Sequence, residues 1–349
     1  MDYEEFKQQV FNRIRDFLPE KYAKADISLE RTIKTNDTVL DGIVIRVREN
    51  DITPNIYLNA YYDDYLNGRN MEDILRRISC VRDNAPKQKD AGLALSKSDF
   101  EFDKIKSRIT CRIVNIELNK LFLADRPYTQ MEDLAVVYDI QMGQIGNDNG
   151  FIPIKKSMQE YFGIDIKRLH YMAVGNMERL SPCICDGLIN MIMGFQQHSD
   201  EDKDFEKNKM DESMLVLKDK NGIYGAAVVL NDKVMVSVAE RLGGDFYVLP
   251  SSIHEIIVLP KDPSVDFRML EAMVREINVT EVAPDEILSN HVYEYYAKER
   301  KLVRCDWAEE RKAVRNLTEG DRKKTSIKEQ LAMPPVVGNR SASKPELAR

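Results

Sequence analysis

The apolar positions of the first sixty residues change from a helical period to an alternating one. Five of them recur every three or four residues: Tyr3, Phe6, Val10, Ile14 and Phe17. This spacing predicts an amphipathic helix that ends at Pro19, and Asp2 with Glu5 has the arrangement of a capping box. Residues 27–47 alternate on either side of Thr35-Asn36-Asp37, which predicts a β-hairpin. The pattern also predicts a third short strand at 56–58 and helices at 60–67 and 70–80. Together these elements would form a small sheet with helices packed on it.

The middle of the chain predicts helices with a strand pair inserted. Residues 108–116 are typical of a strand and 118–123 of a helix. Residues 134–140 are expected to pair with 150–154 across the polar turn 146–149, before helices at 158–162 and 166–177. The acidic segment 199–212 interrupts this pattern, because it is charged and poor in apolar residues. We therefore expect a loop or linker there.

The last third predicts a second unit of strands and helices. Strands are expected at 215–217, 226–230, 246–249, 255–259, 291–297 and 301–304, and helices at about 232–242 and 265–277. Asn231 or Asp232 caps the first helix in this prediction, and Gly243 ends it in a left-handed conformation. The short strands at 246–249 and 255–259, separated by Pro250-Ser251-Ser252, favour an antiparallel pair. The fold class that follows is α+β, with small antiparallel sheets and two αβ units.

These patterns divide the chain into four parts. We expect an N-terminal α+β region at 1–198, an acidic loop or linker at 199–212, an αββα-type unit at 213–305 and a largely disordered tail at 306–349. Residues beyond Glu319 are polar and rich in Pro, Gly and Ser, with little to bury. Within the tail, residues 326–331 have the pattern of a single helical turn that would bind a partner.

Charge and composition restrict the function classes. Residues 1–297 carry 37 Lys and Arg against 50 Asp and Glu, a net charge of −13. Such an acidic body argues against nucleic acid as a partner, since duplex binding needs a basic face. The chain has no apolar run long enough to cross a bilayer, and its first residues lack the pattern of a secretory signal. With five cysteines in no even disulfide framework, we expect a cytoplasmic protein without a membrane partner.

Candidate chemistry centres on the strand pair at 246–259. Ser252 and His254 lie two residues apart, so they would share one face of a strand, with Glu255 on the other. A Ser-His dyad is one interpretation, in which no third orienting group can be named. In the alternative, Ser251 and Ser252 bond the turn backbone and His254 is a polar residue at the strand edge. Asp245 completes the set of candidate site residues.

Two further patterns approach metal sites without matching them. Cys183 and Cys185 with His198 suggest a thiolate site, but structural zinc usually has two to four residues between paired cysteines and needs a fourth ligand. The favoured interpretation is small buried thiols near a helix start. Residues 200–211 have calcium-loop spacing, yet Phe205 occupies the position that requires glycine. Residues 143–150 lack the Lys-Ser/Thr of a P-loop. We expect no metal and no cofactor.

Several strings resemble one family. They are NDTVLDGIVIR, TPNIYLNAYYDDYLNG, LGGDFYVLPSSIHEIIVLP and EINVTEVAPDEILSNHVYEYY. On these residues the chain resembles, over about residues 1–304, a bacterial family catalogued as domain of unknown function 5688. That resemblance indicates where the folded part of the chain begins and ends. It assigns no activity to the protein.

Two functional hypotheses remain from the sequence. The first is a non-enzymatic protein that binds another macromolecule, most simply a protein. The absence of an assembled catalytic set, the flexible tail and two tyrosine-rich segments favour it; the tyrosines are Tyr57, Tyr61, Tyr62, Tyr65, Tyr293, Tyr295 and Tyr296. The alternative is a hydrolase or other enzyme with a site around Asp245, Ser252, His254 and Glu255. The sequence leaves open whether the protein binds a small-molecule ligand.

Overall fold

The structure, a computed structural model, describes residues 1–47, 53–85, 101–145, 148–188 and 214–311. It divides into two units, Met1–Arg304 and Cys305–Arg349. In the first unit the described α-helices are α1 (Tyr3–Arg13), α2 (Asn59–Leu66), α3 (Met71–Asn84), α4 (Phe102–Ile105), α5 (Lys120–Leu123), α6 (Lys156–Phe162), α7 (Ile166–Leu180), α8 (Asp232–Leu242) and α9 (Phe267–Thr280). The described strands are β1 (Asp26–Ile33), β2 (Val39–Arg46), β3 (Asn55–Tyr57), β4 (Ile109–Asn115), β5 (Tyr128–Met131), β6 (Leu134–Ile145), β7 (Asp148–Pro153), β8 (Cys183–Gly187), β9 (Leu215–Asp219), β10 (Phe246–Pro250), β11 (Glu255–Pro260), β12 (Tyr293–Tyr296) and β13 (Lys301–Arg304).

The first sheet has the order β1-β2-β3 and is antiparallel throughout. The predicted helix, hairpin and third strand are confirmed, and Asp2 and Glu5 form the expected capping box at the start of α1. Buried side chains of α1 and α3 pack on the sheet, with Phe6 and Ile78 both fully buried. Burial of one apolar face against these helices is what stabilises so small a sheet.

The second sheet has the order β4-β6-β5, and β7 also pairs with β6. The predicted pairing of 134–140 with 150–154 is confirmed by Ile140 opposite Ile152, whereas β5 was not predicted. Both faces of this sheet are covered. One face contributes Ile113 and Tyr138 to the large core, and the other places Val114 and Val137 in a smaller cluster beside α5. A charged residue on the face that carries Val114 and Val137 is therefore buried, unless its side chain reaches a cavity.

The third sheet has the order β13-β12-β10-β11-β9-β8. The antiparallel pair of β10 and β11 and the final strand pair are confirmed. This sheet continues across the expected boundary at 199–212, because β8 pairs with β9 and places Cys185 opposite Leu217. Residues 199–212 themselves lie outside the described residues. Together, the helices and antiparallel sheets make the fold α+β, as the sequence predicts.

Two local predictions need correction. Cys183 and Cys185 lie in strand β8 and are only partly buried, where buried thiols were expected; the helix start that was expected near them is present at Leu188. Residues 225–230 form a 3₁₀ helix instead of a strand. The chain turns at Tyr224, whose φ of 57° is left-handed, and Gly225 then packs directly on the backbone of Asp219 and His254. That close approach leaves no room for a side chain, so the apolar residues that follow coil into the core.

In the second unit, residues 305–311 are helical and residues 312–349 lie outside the described residues. The predicted disorder of the tail and its helical turn at 326–331 therefore stay predictions. Across the part of the chain that the structure describes, no helix combines the length and apolar character needed to span a membrane.

Candidate functional site

A cavity of about 590 Å³ opens among the first two sheets and the loops of the third. The first sheet contributes Thr32, Ile33, Leu40 and Tyr57 to its wall, with Lys34 and Thr35 from the turn that follows β1. The second sheet contributes Arg112, Asp139, Phe151 and Pro153, while Phe122 comes from α5 and Arg126 from the loop after it. The remaining lining residues are Tyr224, Ile253, His254, Asp285 and Glu286. Ligand sites favour such junctions between structural layers.

Arg112 and Asp139 form a buried ion pair on one wall of the cavity. Arg112 Nε lies 3.0 Å from Asp139 Oδ2, and Nη2 donates to Oδ1 at 3.3 Å. Arg112 on β4 is opposite Val137 on β6, so Asp139 is its diagonal neighbour on the same face. The guanidinium also lies 4.4 Å from the centre of the Tyr224 ring. Arg112 is thus held by a carboxylate and by an aromatic face.

Arg126 lies beside this pair with fewer partners. Its guanidinium stacks 3.9 Å from the centre of the Phe122 ring, and its Nε donates to the Phe122 carbonyl oxygen at 3.0 Å. Nη1 is buried and has no hydrogen-bond acceptor among the residues that the structure describes. Burial lowers the pKa of Arg126, the charge of Asp139 opposes that shift, and the charge of Arg112 adds to it. Arginine stays protonated under such shifts, so Nη1 is an unsatisfied, buried donor on a residue that lines the cavity.

The turn after β1 positions Phe122 and Arg126. Asp37 accepts the backbone N–H of Leu121 at 2.9 Å and that of Phe122 at 2.8 Å, which caps the short helix α5. Asn36 and Asp37 both have left-handed backbone conformations, with φ of 57° and 51°. Asn and Asp tolerate this region better than other residues with side chains. The hairpin turn of the first sheet therefore also orients a wall of the cavity.

Another part of the cavity lining is built around His254, whose ring stacks on that of Tyr224 with centres 5.8 Å apart. Its Nδ1 accepts the backbone N–H of Tyr224 at 3.2 Å, and its Nε2 lies 3.4 Å from Glu286 Oε1. Because Nδ1 is an acceptor, the proton of the neutral ring is on Nε2 and points to Glu286. Asn36 fixes the loop that carries Glu286, since its Nδ2 donates to the carbonyl oxygens of Pro284 and Ile287.

The other predicted site residues have structural contacts. Ser252 Oγ accepts the backbone N–H of His254 at 3.0 Å, and Ser251 Oγ donates to Glu255 Oε1 at 3.4 Å. Asp245 Oδ1 accepts the backbone N–H of Ala297 at 2.8 Å. The same-face argument for Ser252 and His254 does not apply, because β11 begins at Glu255 and both residues precede it. Of these candidates, His254 is the one found among the residues lining the cavity.

The tyrosine-rich segments contribute mainly to the cores. Tyr62 packs on Tyr3 with ring centres 5.0 Å apart, and Tyr65 packs on Phe6 at 5.7 Å. Tyr293 is 1% exposed. Tyr57 lines the cavity instead. These segments therefore do not form an open tyrosine-covered surface.

The cysteine pair lies apart from the cavity described above. Cys183 and Cys185 line a second space of about 310 Å³ beside α8, where Arg241 Nη1 lies 3.5 Å from Cys185 Sγ. Burial, with the neighbouring Cys185, raises the pKa of Cys183 to about 12. His198 and the acidic residues 200–211 lie outside the described residues, so neither metal pattern is tested.

Sequence reasoning missed most of the cavity. Arg112 and Asp139 are each the only charged residue of a largely apolar strand, and such a charge in a buried strand indicates a partner. That signal was present in the sequence. Arg126, Tyr224 and Glu286 lie in loops or turns, where nothing in the local sequence marks them.

The fold and the cavity define an α+β protein with a partly basic, partly aromatic pocket. A family model described as "Family of unknown function (DUF5688)" matches residues 3–297, and the chain belongs to this family. No curated protein and no solved structure matches the chain.

Proposed function

We propose that this protein binds a small anionic ligand in the cavity at Arg126. The observation that carries the proposal is the buried Nη1 of Arg126, which has no acceptor among the described residues. A buried charged donor without a partner costs several kilocalories per mole, roughly 2–7 kcal/mol for a polar group alone. An anionic oxygen from a ligand would supply the missing acceptor.

The charges around Arg126 support the same conclusion. Asp139 is 1% exposed and is already paired with Arg112. Asp125 is 4.0 Å from Arg126 Nε, but its Oδ2 lies 2.7 Å from Lys155 Nζ in solvent-exposed surroundings. Within the described residues, the group of Arg112, Arg126 and Asp139 thus holds one positive charge more than its own carboxylate neutralises, with the exposed Asp125 at its edge. Planar guanidinium groups bind carboxylates and phosphates through paired hydrogen bonds.

Binding fits the geometry of His254 better than catalysis does. A general base needs a free lone pair in the cavity, whereas the Nδ1 lone pair of His254 accepts the Tyr224 N–H. The Oγ of Ser252 accepts the N–H of His254, which is the structural role expected of a turn serine. The hydrolase hypothesis for Asp245, Ser252, His254 and Glu255 stays a prediction, without a specific contact in its favour.

A protein partner and a cytoplasmic location also stay predictions. The anionic ligand proposed here is compatible with both, because a binding protein can report ligand occupancy to a partner. The acidic body still argues against nucleic acid.

The test is thermal unfolding of the full chain in phosphate, compared with chloride at equal ionic strength. A ligand that binds only the native state raises the melting temperature in a concentration-dependent way. Phosphate also stabilises proteins generally, so the comparison needs a variant without the site. We expect Arg126→Gln to lose most of the phosphate-specific rise.

The matched control is Arg76→Gln, since the Arg76 side chain is 67% exposed and lies outside the cavity. It should keep the full rise in melting temperature. If phosphate, sulfate and simple carboxylates all raise the melting temperatures of the Arg126→Gln and Arg76→Gln variants equally, the proposed site is wrong.

A further inference from the structure

We infer that the ligand is a phosphate monoester that carries a planar ring, the chemistry of a free nucleoside monophosphate. This inference rests on the proposed function and adds the class of ligand. Three features of the cavity support it: its size, its partly exposed aromatic side chains and the two cations, Arg126 and Lys34, that it holds beyond the Arg112–Asp139 pair.

The size of the cavity requires more than an inorganic anion. At about 590 Å³, it is within the range of roughly 300–1,000 Å³ that holds drug-sized molecules. A single phosphate or carboxylate at Arg126 would leave most of this space to water. The remainder of the ligand must therefore be an organic group.

The aromatic side chains indicate what that group is. Tyr57 and Phe151 line the cavity and are each only partly buried, whereas the Tyr224 ring is contacted by the Arg112 guanidinium at 4.4 Å and stacks on the His254 ring at 5.8 Å. The rings of Phe151 and Tyr224 meet edge to face, with centres 5.6 Å apart and an interplanar angle of 69°. Partly exposed rings inside a cavity leave apolar surface that a flat ligand group can cover by stacking. A nucleobase has such a π-face whatever its identity.

The cations indicate the charge of the anionic group. Arg126 supplies one positive charge beyond the Arg112–Asp139 pair, and Lys34 supplies a second, with its Nζ 5.0 Å from the centre of the Tyr57 ring. Two positive charges match a phosphate monoester, which carries a charge of about −1.5 to −2 at neutral pH. A carboxylate would neutralise only one of them.

The carboxylates that line the cavity are suited to bind the ribose of a nucleoside monophosphate. Asp285 and Glu286 also line the cavity, and the Glu286 side chain is 45% exposed. Solvent screens these carboxylates from the buried cations, so they oppose the anion weakly. They are hydrogen-bond acceptors, and ribose hydroxyl groups are donors.

The overall charge favours a free ligand over a polymer. Residues 1–297 have a net charge of −13, which repels a polyanionic strand along the surface around the cavity. A single monophosphate enters the locally cationic wall without meeting that larger surface.

The test is isothermal titration calorimetry of the full chain with adenosine 5′-monophosphate, adenosine and inorganic phosphate. We expect the monophosphate to bind at least about tenfold more tightly than either part, because stacking on an aromatic ring contributes about 1–3 kcal/mol per base. The monophosphates of guanosine, cytidine and uridine form the rest of the panel, and tighter binding of any of them supports the inference equally.

The Phe151→Leu variant separates the contribution of the aromatic ring to the binding affinity from the contribution of the cations. It should weaken binding of the preferred monophosphate about tenfold and leave binding of inorganic phosphate unchanged. Tyr161→Leu is the matched control, since Tyr161 is 76% exposed on α6 and does not line the cavity. It should change neither affinity.

The outcomes separate this inference from the proposed function. If inorganic phosphate binds in an Arg126-dependent manner as tightly as every monophosphate, the ligand class is wrong and the anion site stands. If a 5′-phosphorylated oligonucleotide binds as tightly as the free monophosphate, the ligand is not a free small molecule. If no anion in the panel binds, both proposals are wrong.

Discussion

Asn36 and Asn119 form two reciprocal hydrogen bonds across 83 residues of sequence. The backbone N–H of Asn36 donates to Asn119 Oδ1 at 2.7 Å, and Asn119 Nδ2 donates to Asn36 Oδ1 at 2.7 Å. Asn119 is fully buried. These hydrogen bonds link the hairpin turn of the first sheet to the segment that leads into α5. Both segments are next to residues that line the cavity.

Replacing Asn119 with Ala should destabilise the protein by about 1–3 kcal/mol. The change leaves the Asn36 amide N–H and side-chain oxygen without their partner, and buried unpaired groups retain their desolvation cost. Urea denaturation gives the free energy of unfolding. The exposed Asn67→Ala should differ from the unchanged protein by less than about 0.5 kcal/mol. Equal values for both variants would show that the asparagine pair is unimportant.

Adding a methyl group at Gly225 should lower stability by about 1–3 kcal/mol or more. The new Cβ would overlap the Asp219 backbone nitrogen and the His254 carbonyl oxygen, and neither can move without shifting a strand or the turn. Gly175→Ala on α7 is the matched change, because no heavy atom lies within 4 Å of its Cβ position. That helix variant should be stabilised by about 0.5–1 kcal/mol. A shift in the same direction for both, measured by thermal unfolding, contradicts the packing argument.

Gly243 tests the cost of a left-handed backbone alone. It ends α8 with φ of 82°, and nothing lies within 4 Å of the position that a Cβ atom would take, so steric clash plays no part. Gly243→Val should cost about 1–2 kcal/mol. Gly243→Asn should cost less, because asparagine adopts this conformation more readily. Equal stabilities of the Val and Asn variants in urea denaturation would remove the role assigned to this glycine.

The two arginines of the cavity should respond to substitution in opposite ways. Arg112→Met removes the partner of Asp139, and loss of one member of a buried ion pair typically costs about 3–5 kcal/mol. Arg126→Met removes a partly buried cation whose Nη1 has no acceptor among the described residues, so stability without ligand should hold or rise. Urea denaturation of both variants in phosphate-free buffer measures the difference. Comparable losses would mean that Arg126 is a structural residue.

Asp41 should make the first sheet sensitive to acid. Burial disfavours its ionised form, but hydrogen bonds from Arg31 and Lys7 outweigh burial and hold the pKa of Asp41 below its ordinary value. A carboxyl group with a lowered pKa stabilises the fold above the unfolded-state pKa of about 4, and this contribution is lost as the pH falls through the folded-state pKa.

The measurement is the free energy of unfolding at about pH 7 and about pH 3, which bracket the unfolded-state value. Asp41→Asn should be less stable at the higher pH and should lose less on acidification. The exposed Asp63→Asn should keep the pH dependence of the unchanged protein. If Asp41→Asn loses as much stability in acid as the unchanged protein, Asp41 is not the responsible group.

Local patterns in the sequence were sufficient for most of the elements. Asp2 and Glu5 form the predicted capping box, Asn231 caps α8 and Gly243 ends it, because each depends on contacts within a few residues. The prediction was wrong at 225–230. There the close packing of Gly225 on distant backbone, and not the apolar run, decides the conformation.

The candidate site was predicted only at His254. The charged residues of the cavity could be recognised one at a time as unusual, but not as a group. Arg112 meets Asp139 because β4 and β6 pair in one register, which places them diagonally on the same face. A shift of that register by one residue would send Arg112 to the opposite face of the sheet from the cavity.

The sequence by itself determined the α+β class, the caps and turns, and the acidic charge of the body, since these follow from neighbouring residues and from composition. The tertiary structure alone decided that Arg126 lies beside Arg112 and shares one cavity with His254 and Glu286. The physical reason is distance along the chain: strand pairing and buried hydrogen bonds, such as that between Asn36 and Asn119, bring these segments together. No local pattern encodes contacts that form only when separate sheets pack.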